Sequence, residues 1–378
     1  MRVIVTGGGS GGHIYPALAI ADKFKERDPN TEILYIGNDV GLEKDIVPKS
    51  GYPLEMVDAM WVERGNPIYL IRTAVVSHRG VRQALRIMKK FKPDVVVGTG
   101  GFVCFPVVIA GHKYGARTYI HEQNAFPGMA NRSLERFVDR VLLGFGAASQ
   151  YFKEPKKHVV VGNPVRDIFF DLDRKECRKA LNLNEDDFVV FAVAGSQGAN
   201  RITDVMYEIA KKLNGKKNIV LIFGAGYFHY ETIQKLIRSE GFEFAENIRI
   251  MPYIHDMQHY LGASDLIISR AGALAVTEFS VAGCATILIP SPNVPGNHQF
   301  YNAKAMADTG GAILMEEKDL TVDSLMERIS YYRDHPEELR EMEKKVRKAV
   351  PHNAAELICD TIELDVRAKD RKRKKKTR

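Results

Sequence analysis

Short runs of Val, Ile and Leu alternate along the chain with longer stretches in which apolar residues recur every three or four positions. Five runs in the first part of the chain predict buried strands: RVIVT, EILYIG, DVVVG, RTYIHE and RVLLGF. The stretch PALAIADKFKER predicts an amphipathic helix that begins at Pro16, because proline is tolerated in a first helical turn. Buried strands that alternate with helices indicate a parallel sheet covered on both faces.

The same alternation starts again after the segment VVVGNPVRDIFF. Six further runs predict strands: DFVVFAVAG, NIVLIFG, IRIMPYI, DLIISRAG, ATILIP and GAILM. We therefore predict an α/β chain of two doubly wound, Rossmann-like domains, 1–163 and 164–350, with a binding cleft between their sheet edges. A helix over about 351–366 is expected to pack on the first domain, and the basic residues 367–378 are expected to form a disordered tail.

The net charge of +7 is concentrated at the end of the chain. The last twelve residues hold nine Lys or Arg and one Asp, so the rest of the chain carries a net charge of −1. A nearly neutral body argues against nucleic-acid binding. The four cysteines have no C-x-x-C spacing, which predicts buried thiols in a reducing compartment. The opening MRVIVT is too short for a signal peptide, so we expect a cytoplasmic protein, either soluble or held at a membrane surface.

Glycine-rich turns follow predicted strands in both domains. The first, VTGGGSGGHIYP, has G-x-G-x-x-G spacing, but a nicotinamide enzyme also needs an acidic residue after the second strand, where this chain has Gly37. The second, AGSQGAN, places Ser196 just before a predicted helix. Because N–H groups at a helix N-terminus attract anions, both turns predict phosphate binding. The alternative is that the glycines only permit tight turns with positive φ.

His13 follows the first glycine turn at the expected start of a helix. A helix N-terminus disfavours an imidazolium ion, so this imidazole is expected to be neutral near pH 7, as a general base must be. Alternatively, the ring caps the turn or is buried in the core. Glu122 and Asn124, in the motif HEQN after a strand, are further candidates, unless they only stabilise a turn.

Glu278 lies about one turn along the helix predicted for SRAGALAVTE. A carboxylate there can accept hydrogen bonds from both hydroxyls of a ribose, or it can simply complement the helix dipole. Arg166 and Arg270 are candidate cations for a diphosphate. We expect no metal site, because the pair Asp171 and Asp173 lies in the connection between domains and no H-E-x-x-H or C-x-x-C motif occurs.

Residues 64–93 contain eight Lys or Arg and no acidic residue. Asn66 and Pro67 are typical of a helix start. Six apolar residues predict a buried stripe: Ile68, Ile71, Val75, Val81, Leu85 and Met88. Three others would share the remaining faces with the basic residues: Tyr69, Leu70 and Val76. Such a surface suits an anionic membrane, and the alternative is an ordinary solvated helix.

Taken together, the motifs resemble those of the MurG family, bacterial enzymes that make lipid II from lipid I. The motifs occur in family order: GGGSGGHIYPALAIA, GTGGFVCFPVVIAG, IHEQNAFPGMANR, VVGNPVR, AGSQGAN, SRAGALAVTE and NHQFYNA. Family members usually have threonine at Ser10, often alanine at Thr6, and in some cases glutamine at His298. The basic tail is not a family feature.

The resemblance implies a GT-B glycosyltransferase that inverts configuration and needs no metal or cofactor. It implies transfer of N-acetylglucosamine from UDP-N-acetylglucosamine to the 4-hydroxyl of the muramyl sugar in lipid I, for peptidoglycan synthesis. The enzyme would lie peripherally on the anionic cytoplasmic face of the cell membrane. A cell-wall synthesis complex is a candidate partner, and no nucleic acid is expected.

The resemblance also implies roles for individual residues. His13 would be the general base, with Glu122 as the alternative. The donor would be bound by Ser10, Gly11, Gly12, Asn124, Arg166, Ser196, Ile254 (through its backbone), Ala273, Leu274, Ala275, Val276, Thr277, Glu278 and Gln299. Gly100 and Gly101 would contact the acceptor diphosphate.

Four other functions compete with this interpretation. A diacylglycerol glycosyltransferase or a nucleotide-sugar epimerase would share the fold. An NAD-linked oxidoreductase would bind nicotinamide. A silent nucleotide-sugar sensor would lack the catalytic groups, which argues against it because His13 and Glu122 are both present.

Overall fold

We analysed a computed structural model, which describes residues 1–61, 65, 67–194 and 200–376, with side chains up to residue 368. The chain divides into two compact units. Unit 1 comprises Met1–Val165 and Pro351–Arg378, and unit 2 comprises Arg166–Val350. Within the described ranges, no helix is both long enough and apolar enough to cross a bilayer.

Unit 1 is built on a seven-stranded parallel sheet with strand order β3-β2-β1-β4-β5-β6-β7. Its strands are β1 (Arg2–Thr6), β2 (Glu32–Gly37), β3 (Leu54–Met56), β4 (Val95–Gly98), β5 (Arg117–Glu122), β6 (Arg140–Leu143) and β7 (His158–Val160). The helices within residues 1–165 are α1 (Gly11–Arg27), α2 (Glu43–Lys49), α3 (Pro67–Phe91), α4 (Cys104–Tyr114) and α5 (Met129–Leu134). Helices cover both faces, which is why the central strands are apolar without alternation.

Unit 2 repeats this design with six parallel strands in the order β10-β9-β8-β11-β12-β13. Its strands are β8 (Phe188–Val193), β9 (Ile219–Gly224), β10 (Ile248–Met251), β11 (Leu266–Ser269), β12 (Thr286–Leu288) and β13 (Ile313–Leu314). Its helices are α6 (Arg174–Ala180), α7 (Asn200–Leu213), α8 (Tyr227–Glu240), α9 (Met257–Ala263), α10 (Ala273–Ala282), α11 (His298–Ala307), α12 (Val322–Asp334) and α13 (Pro336–Lys348). Two doubly wound sheets confirm the predicted fold class.

The last helix, α14 (Ala354–Lys376), returns to unit 1 and packs on α1. Ile358 and Ile362 enter the same core as Ile14 and Phe24. The helix continues to Lys376, whereas the sequence predicted disorder from residue 367. The physical reason is that alanine, lysine and arginine are strong helix formers, so a helix anchored by its first turns propagates through them.

Helix α1 also differs from the sequence prediction, because it begins at Gly11 and contains Pro16. The N-cap, Ser10, makes no side-chain capping bond. The local signals therefore do not mark this start; it depends on packing of the glycine turn against the rest of unit 1. The earlier start places His13 inside the first helical turn.

Candidate active site

Two glycine-rich loops meet where the strand order of the first sheet reverses, between β1 and β4. Loops that leave the carboxyl ends of strands at such a point form the usual ligand site of a doubly wound sheet. The N–H of Gly8 donates to the carbonyl oxygen of Gly100 at 3.2 Å. A Cβ atom on Gly101 would overlap the Gly8 carbonyl, and one on Gly100 would overlap the His13 ring. Both positions also have positive φ, so this close approach requires glycine.

His13 is half-buried beside these loops, and its Nδ1 atom faces two carbonyl oxygens. Nδ1 lies 3.1 Å from the Thr99 backbone oxygen and 3.2 Å from Oε1 of Gln123. Because both oxygens can only accept, the proton of the neutral ring belongs on Nδ1. This leaves the lone pair on Nε2, where the ring can accept a proton.

Glu122, the alternative base, is buried at the end of β5. Its Oε1 accepts from the backbone N–H of Asn124 at 2.9 Å and from the side chain of Asn124 at 3.2 Å. Its Oε2 accepts from the N–H of Gly128 at 3.0 Å and from Nδ2 of Asn131 at 2.8 Å. Four donors occupy the lone pairs of this carboxylate, so its geometry is that of a group that fixes the loop after β5.

The donor residues predicted in unit 1 lie around the start of α1. Ser10 and Gly12 are exposed, and Gly11 is half-buried. Ser10 provides no side-chain cap, and its carbonyl oxygen accepts from the N–H of His13 at 3.1 Å, so the N–H groups of Gly11 and Gly12 are the ones that suit an anion.

Glu43 is a buried residue at this loop that the sequence analysis missed. Its carboxylate lies under Gly8, and its Oε2 accepts from the N–H of Gly9 at 3.4 Å. Part of the glycine turn therefore contacts an internal carboxylate, not an external anion. No local sequence signal identifies it, because the contact joins two segments more than 30 residues apart.

In unit 2 the strand order reverses between β8 and β11. The loop after β8, which includes the predicted diphosphate contact Ser196, lies outside the described residues. The loop after β11 leads into α10, with Gly272 as N-cap. Of the five predicted donor contacts at the start of α10, Leu274 and Ala275 are half-buried and the others are buried. The Thr277 hydroxyl donates to the Ala273 carbonyl at 2.9 Å, within the helix itself.

Glu278 and Arg166 act on each other electrostatically at this edge of unit 2. Burial raises the pKa of Glu278 to about 7, and the positive charge of Arg166 opposes that shift. Among the described residues, none forms a hydrogen bond with the Glu278 carboxyl. Arg166 is exposed, and its guanidinium lies 4.8 Å from the centre of the Phe169 ring. This edge of unit 2 therefore holds an exposed cation close to a carboxyl group that accepts no hydrogen bond from the described residues.

The other candidate cation, Arg270, is committed to internal partners. Its guanidinium pairs with Glu317 and donates to the backbone oxygen of Ile289 at 3.1 Å. Arg270 therefore links the loops after β11, β12 and β13 in unit 2. Asp173 has a structural contact as well, because it caps α6 by accepting from the N–H of Lys175 at 2.8 Å. No group of three potential metal ligands occurs in the part of the chain that the structure describes.

Ile254 lies in the loop after β10, and Gln299 lies in the first turn of α11. Ile254 is buried after β10 and packs against Gly224, the last residue of β9. Gln299 is half-buried at the start of α11, and its Oε1 accepts from the N–H of Ser291 at 2.9 Å. Asn302, which the sequence analysis missed, is buried and donates to the Ala271 carbonyl at 3.1 Å, fixing the loop before α10.

The first half of α3 carries an exposed apolar surface, contrary to the predicted buried stripe. Four residues of this surface are exposed: Ile68, Leu70, Ile71 and Val75. Most buried residues of α3 lie in its second half: Gly80, Val81, Ala84 and Met88. The reason is length: a helix of 25 residues extends about 37 Å, whereas the longest strands of this sheet, with 6 residues, span about 20 Å. The helix therefore projects beyond the sheet that could cover it, and we name these four residues the α3 apolar surface.

Comparison with known proteins identifies relatives along nearly the whole chain. Residues 3–143 match the glycosyltransferase family 28 N-terminal domain, and residues 189–358 match the C-terminal domain of that family. A protein of Thermoanaerobacter sp. (strain X514) is 39% identical over 96% of this chain and 99% of its own length. A protein of Alkaliphilus oremlandii (strain OhILAs) is 40% identical over 96% of this chain and 98% of its own length. Both are named UDP-N-acetylglucosamine--N-acetylmuramyl-(pentapeptide) pyrophosphoryl-undecaprenol N-acetylglucosamine transferase.

Solved structures agree with these relatives. The crystal structure of Acinetobacter baumannii MurG superimposes with a TM-score of 0.77 at 28% identity, covering 96% of this chain and 99% of that one. A UDP-GlcNAc 2-epimerase from Neisseria meningitidis shares the fold, with a TM-score of 0.67 at 14% identity over 96% of this chain and 98% of that one. The chain therefore belongs to glycosyltransferase family 28 and, within it, to the MurG family.

Proposed function

We propose that this chain transfers N-acetylglucosamine from UDP-N-acetylglucosamine to the muramyl 4-hydroxyl of lipid I, giving lipid II. The observation that carries the proposal is the 39% identity, over nearly full length, to transferases named for this reaction. The placement of His13 beside two glycine loops supports it, because the reaction needs a base near a diphosphate-linked acceptor.

Unit 2 would bind the donor. The Glu278 carboxylate would accept hydrogen bonds from both ribose hydroxyls, and the Ile254 backbone would pair with uracil. Arg166 and Ser196 would contact the diphosphate beside the first turn of α10, while Gln299 would hold the sugar. The support for the ribose contact is that Glu278 is half-buried and has no hydrogen-bond donor among the described residues.

Unit 1 would bind the acceptor and carry out proton transfer. Gly100 and Gly101 would contact the lipid diphosphate, and Ser10, Gly11, Gly12 and Asn124 would complete the donor site. Nε2 of His13 would remove the proton of the muramyl 4-hydroxyl. That oxygen would form a bond to the anomeric carbon as the bond to the UDP oxygen breaks, which inverts the configuration. His13 would finish protonated, and UDP would leave with the bonding electron pair.

The charge that develops on the leaving diphosphate would be stabilised without a metal ion. Arg166 supplies a positive charge, and the N-terminus of α10 supplies N–H groups and a favourable dipole. Donor orientation by Glu278 and Gln299 would provide the remaining rate enhancement.

We place the enzyme peripherally on the cytoplasmic face of the cell membrane, because lipid I is a membrane lipid. The α3 apolar surface would insert at the interface. Exposed basic residues on the same helix would contact anionic headgroups: Arg72, Arg79, Arg82, Arg86, Lys89 and Lys90. Each basic residue near an anionic surface contributes about 1 kcal/mol. Contacts with a cell-wall synthesis complex would be made from this membrane-bound position.

A radiolabelled transfer assay with a lipid I analogue tests the proposal. We expect transfer from UDP-N-acetylglucosamine, much less from UDP-glucose, and no loss of rate when EDTA is added. Failure to label the lipid I analogue would contradict the proposed reaction. Loss of activity with EDTA, restored by a divalent ion, would contradict the metal-free mechanism only.

A further inference from the structure

A buried chain of hydrogen bonds leads from the interior of unit 1 to His13. It starts at the Gly162 carbonyl, which lies 2.9 Å from Nε2 of His121. Nδ1 of His121 lies 2.9 Å from Nε2 of Gln123, and Oε1 of Gln123 lies 3.2 Å from Nδ1 of His13. His121 and Gln123 are almost completely inaccessible to solvent, at 0% and 2% exposure. Neither residue was selected by the sequence analysis, which chose their neighbours in the same motif.

The protonation of each member of this chain follows from its partners. The Gly162 oxygen can only accept, so His121 carries its proton on Nε2 and presents a lone pair at Nδ1. Burial lowers the pKa of His121, which keeps this ring neutral. Its Nδ1 therefore requires a donor, and the Gln123 amide nitrogen is that donor.

The backbone determines the orientation of the Gln123 amide independently. Nε2 of Gln123 also lies 3.2 Å from the His121 carbonyl oxygen. A flipped amide would place its oxygen against that carbonyl and leave two acceptors facing each other. The amide oxygen must then point to His13, where it joins the Thr99 carbonyl as a second acceptor for the Nδ1 proton.

We infer that Gln123, held by His121, is a positioning residue that keeps His13 in the tautomer with Nδ1 protonated and Nε2 available to take the acceptor proton. The inference rests on the proposed function in assigning the base role to His13, but the tautomer itself does not depend on that role. Partners of this kind fix the tautomer and the orientation of an imidazole ring. Gln123 acts only through His13 and is not itself a catalytic group.

Nitrogen-15 spectra of the full-length protein, without substrates, test the tautomer directly. The His13 signals are identified by their loss in His13→Ala, and one-ring correlations at pH 8 show which nitrogen carries the proton. We expect Nδ1–H in the wild type and a substantial Nε2–H population in Gln123→Met, which keeps the side-chain length but cannot accept from His13. Gln123→Glu keeps an acceptor and should restore the Nδ1–H form.

Kinetics provide the second readout. We expect Gln123→Met to lower kcat on the order of 10-fold with the donor KM unchanged. His158→Gln is the matched control, because His158 is a buried histidine of the same unit whose partners are Glu135 and Ser149. This control should change stability but leave the His13 tautomer and the donor KM as they are.

Two results would overturn the inference: a wild-type His13 that carries its proton on Nε2, or a Gln123→Met protein with unchanged spectrum and kcat. If Gln123→Met does not fold, a wild-type His13 that carries its proton on Nε2 still overturns the inference. An Nδ1–H tautomer together with a fully active His13→Ala would instead refute the base assignment and leave the positioning role intact.

Discussion

The two units have the same doubly wound architecture, but the polar groups near their switch points differ in how many hydrogen bonds they make within the protein. In unit 1, His13 and Glu122 are both held by partners from the protein itself. In unit 2, the Glu278 carboxyl is half-buried without a hydrogen-bond donor among the described residues, and its pKa is raised to about 7. A buried polar group without partners is unstable unless a ligand satisfies it.

This difference suits two separate tasks, proton transfer and ligand recognition. A group that must receive a proton benefits from an orientation that exists before substrate binds, because reorganisation would add to the barrier. A group that must recognise a ligand benefits from being left unsatisfied, because the ligand then supplies the missing hydrogen bonds. On this basis we propose that unit 1 carries out the chemistry and unit 2 binds the donor, and the following predictions test that distinction.

The largest effect should come from His13→Ala, which removes the group arranged for chemistry. We expect turnover to fall by about 10²–10⁴-fold, with donor affinity within about 2-fold of wild type. Initial rates and calorimetric titration of UDP-N-acetylglucosamine measure the two quantities. His112→Ala, which removes an exposed histidine of α4 in the same unit, is the control and should leave turnover unchanged. Near-normal turnover in His13→Ala would contradict the assignment of His13 as the general base.

In contrast to His13→Ala, Glu278→Ala should mainly lower donor affinity. Loss of two hydrogen bonds to a charged acceptor costs about 3 kcal/mol, so donor affinity at pH 8 should fall on the order of 100-fold. Calorimetry with UDP-N-acetylglucosamine measures this change. Glu343→Ala is the control, because Glu343 is also half-buried in unit 2 with its pKa raised by burial. Equal losses in both variants would mean that Glu278 only stabilises the unit.

Membrane binding should depend on unit 1 alone. Ile68→Ser combined with Ile71→Ser removes about 2 kcal/mol of apolar insertion, which weakens binding to anionic vesicles roughly 30-fold. Vesicle co-sedimentation measures the partition. Phe228→Ser, which removes an exposed apolar side chain of unit 2, is the control and should bind vesicles like the wild type. A larger loss in the unit 2 variant would reverse the proposed membrane orientation.

The smallest effect should be the pH dependence of donor binding. In the proposed donor complex the carboxylate form of Glu278 accepts the ribose hydrogen bonds, and below its pKa of about 7 the group becomes protonated. Donor affinity should therefore weaken as the pH falls, by about 10-fold between pH 8 and pH 6. Glu278→Gln should remove this dependence. An equally steep pH profile in Glu278→Gln would assign the titration to another group.

Elements with strong local patterns agree most closely with the sequence predictions. Strands such as β1, β2 and β5 were predicted with the bounds that the structure has. Two edge strands, β3 and β7, were missed. The first has an acidic residue between two apolar ones, and the valines of the second were assigned to the connection between the domains. The α3 stripe was wrong in its first half, since periodicity indicates which residues share a face but not how far a neighbouring surface extends.

The two parallel sheets, the glycine turns at their switch points and the family could all be predicted from the amino-acid sequence. These follow from residue spacing over a few positions, because apolar periodicity and glycine conformations act locally. Only in the folded loop after β5 does Glu122 gain four hydrogen-bond donors, whereas the described residues give none to Glu278. The partners of His13 depend on long-range contacts, because Thr99 and Gln123 are 86 and 110 residues away along the chain. Such choices depend on which loops the strand order brings to one edge, and no local pattern encodes that order.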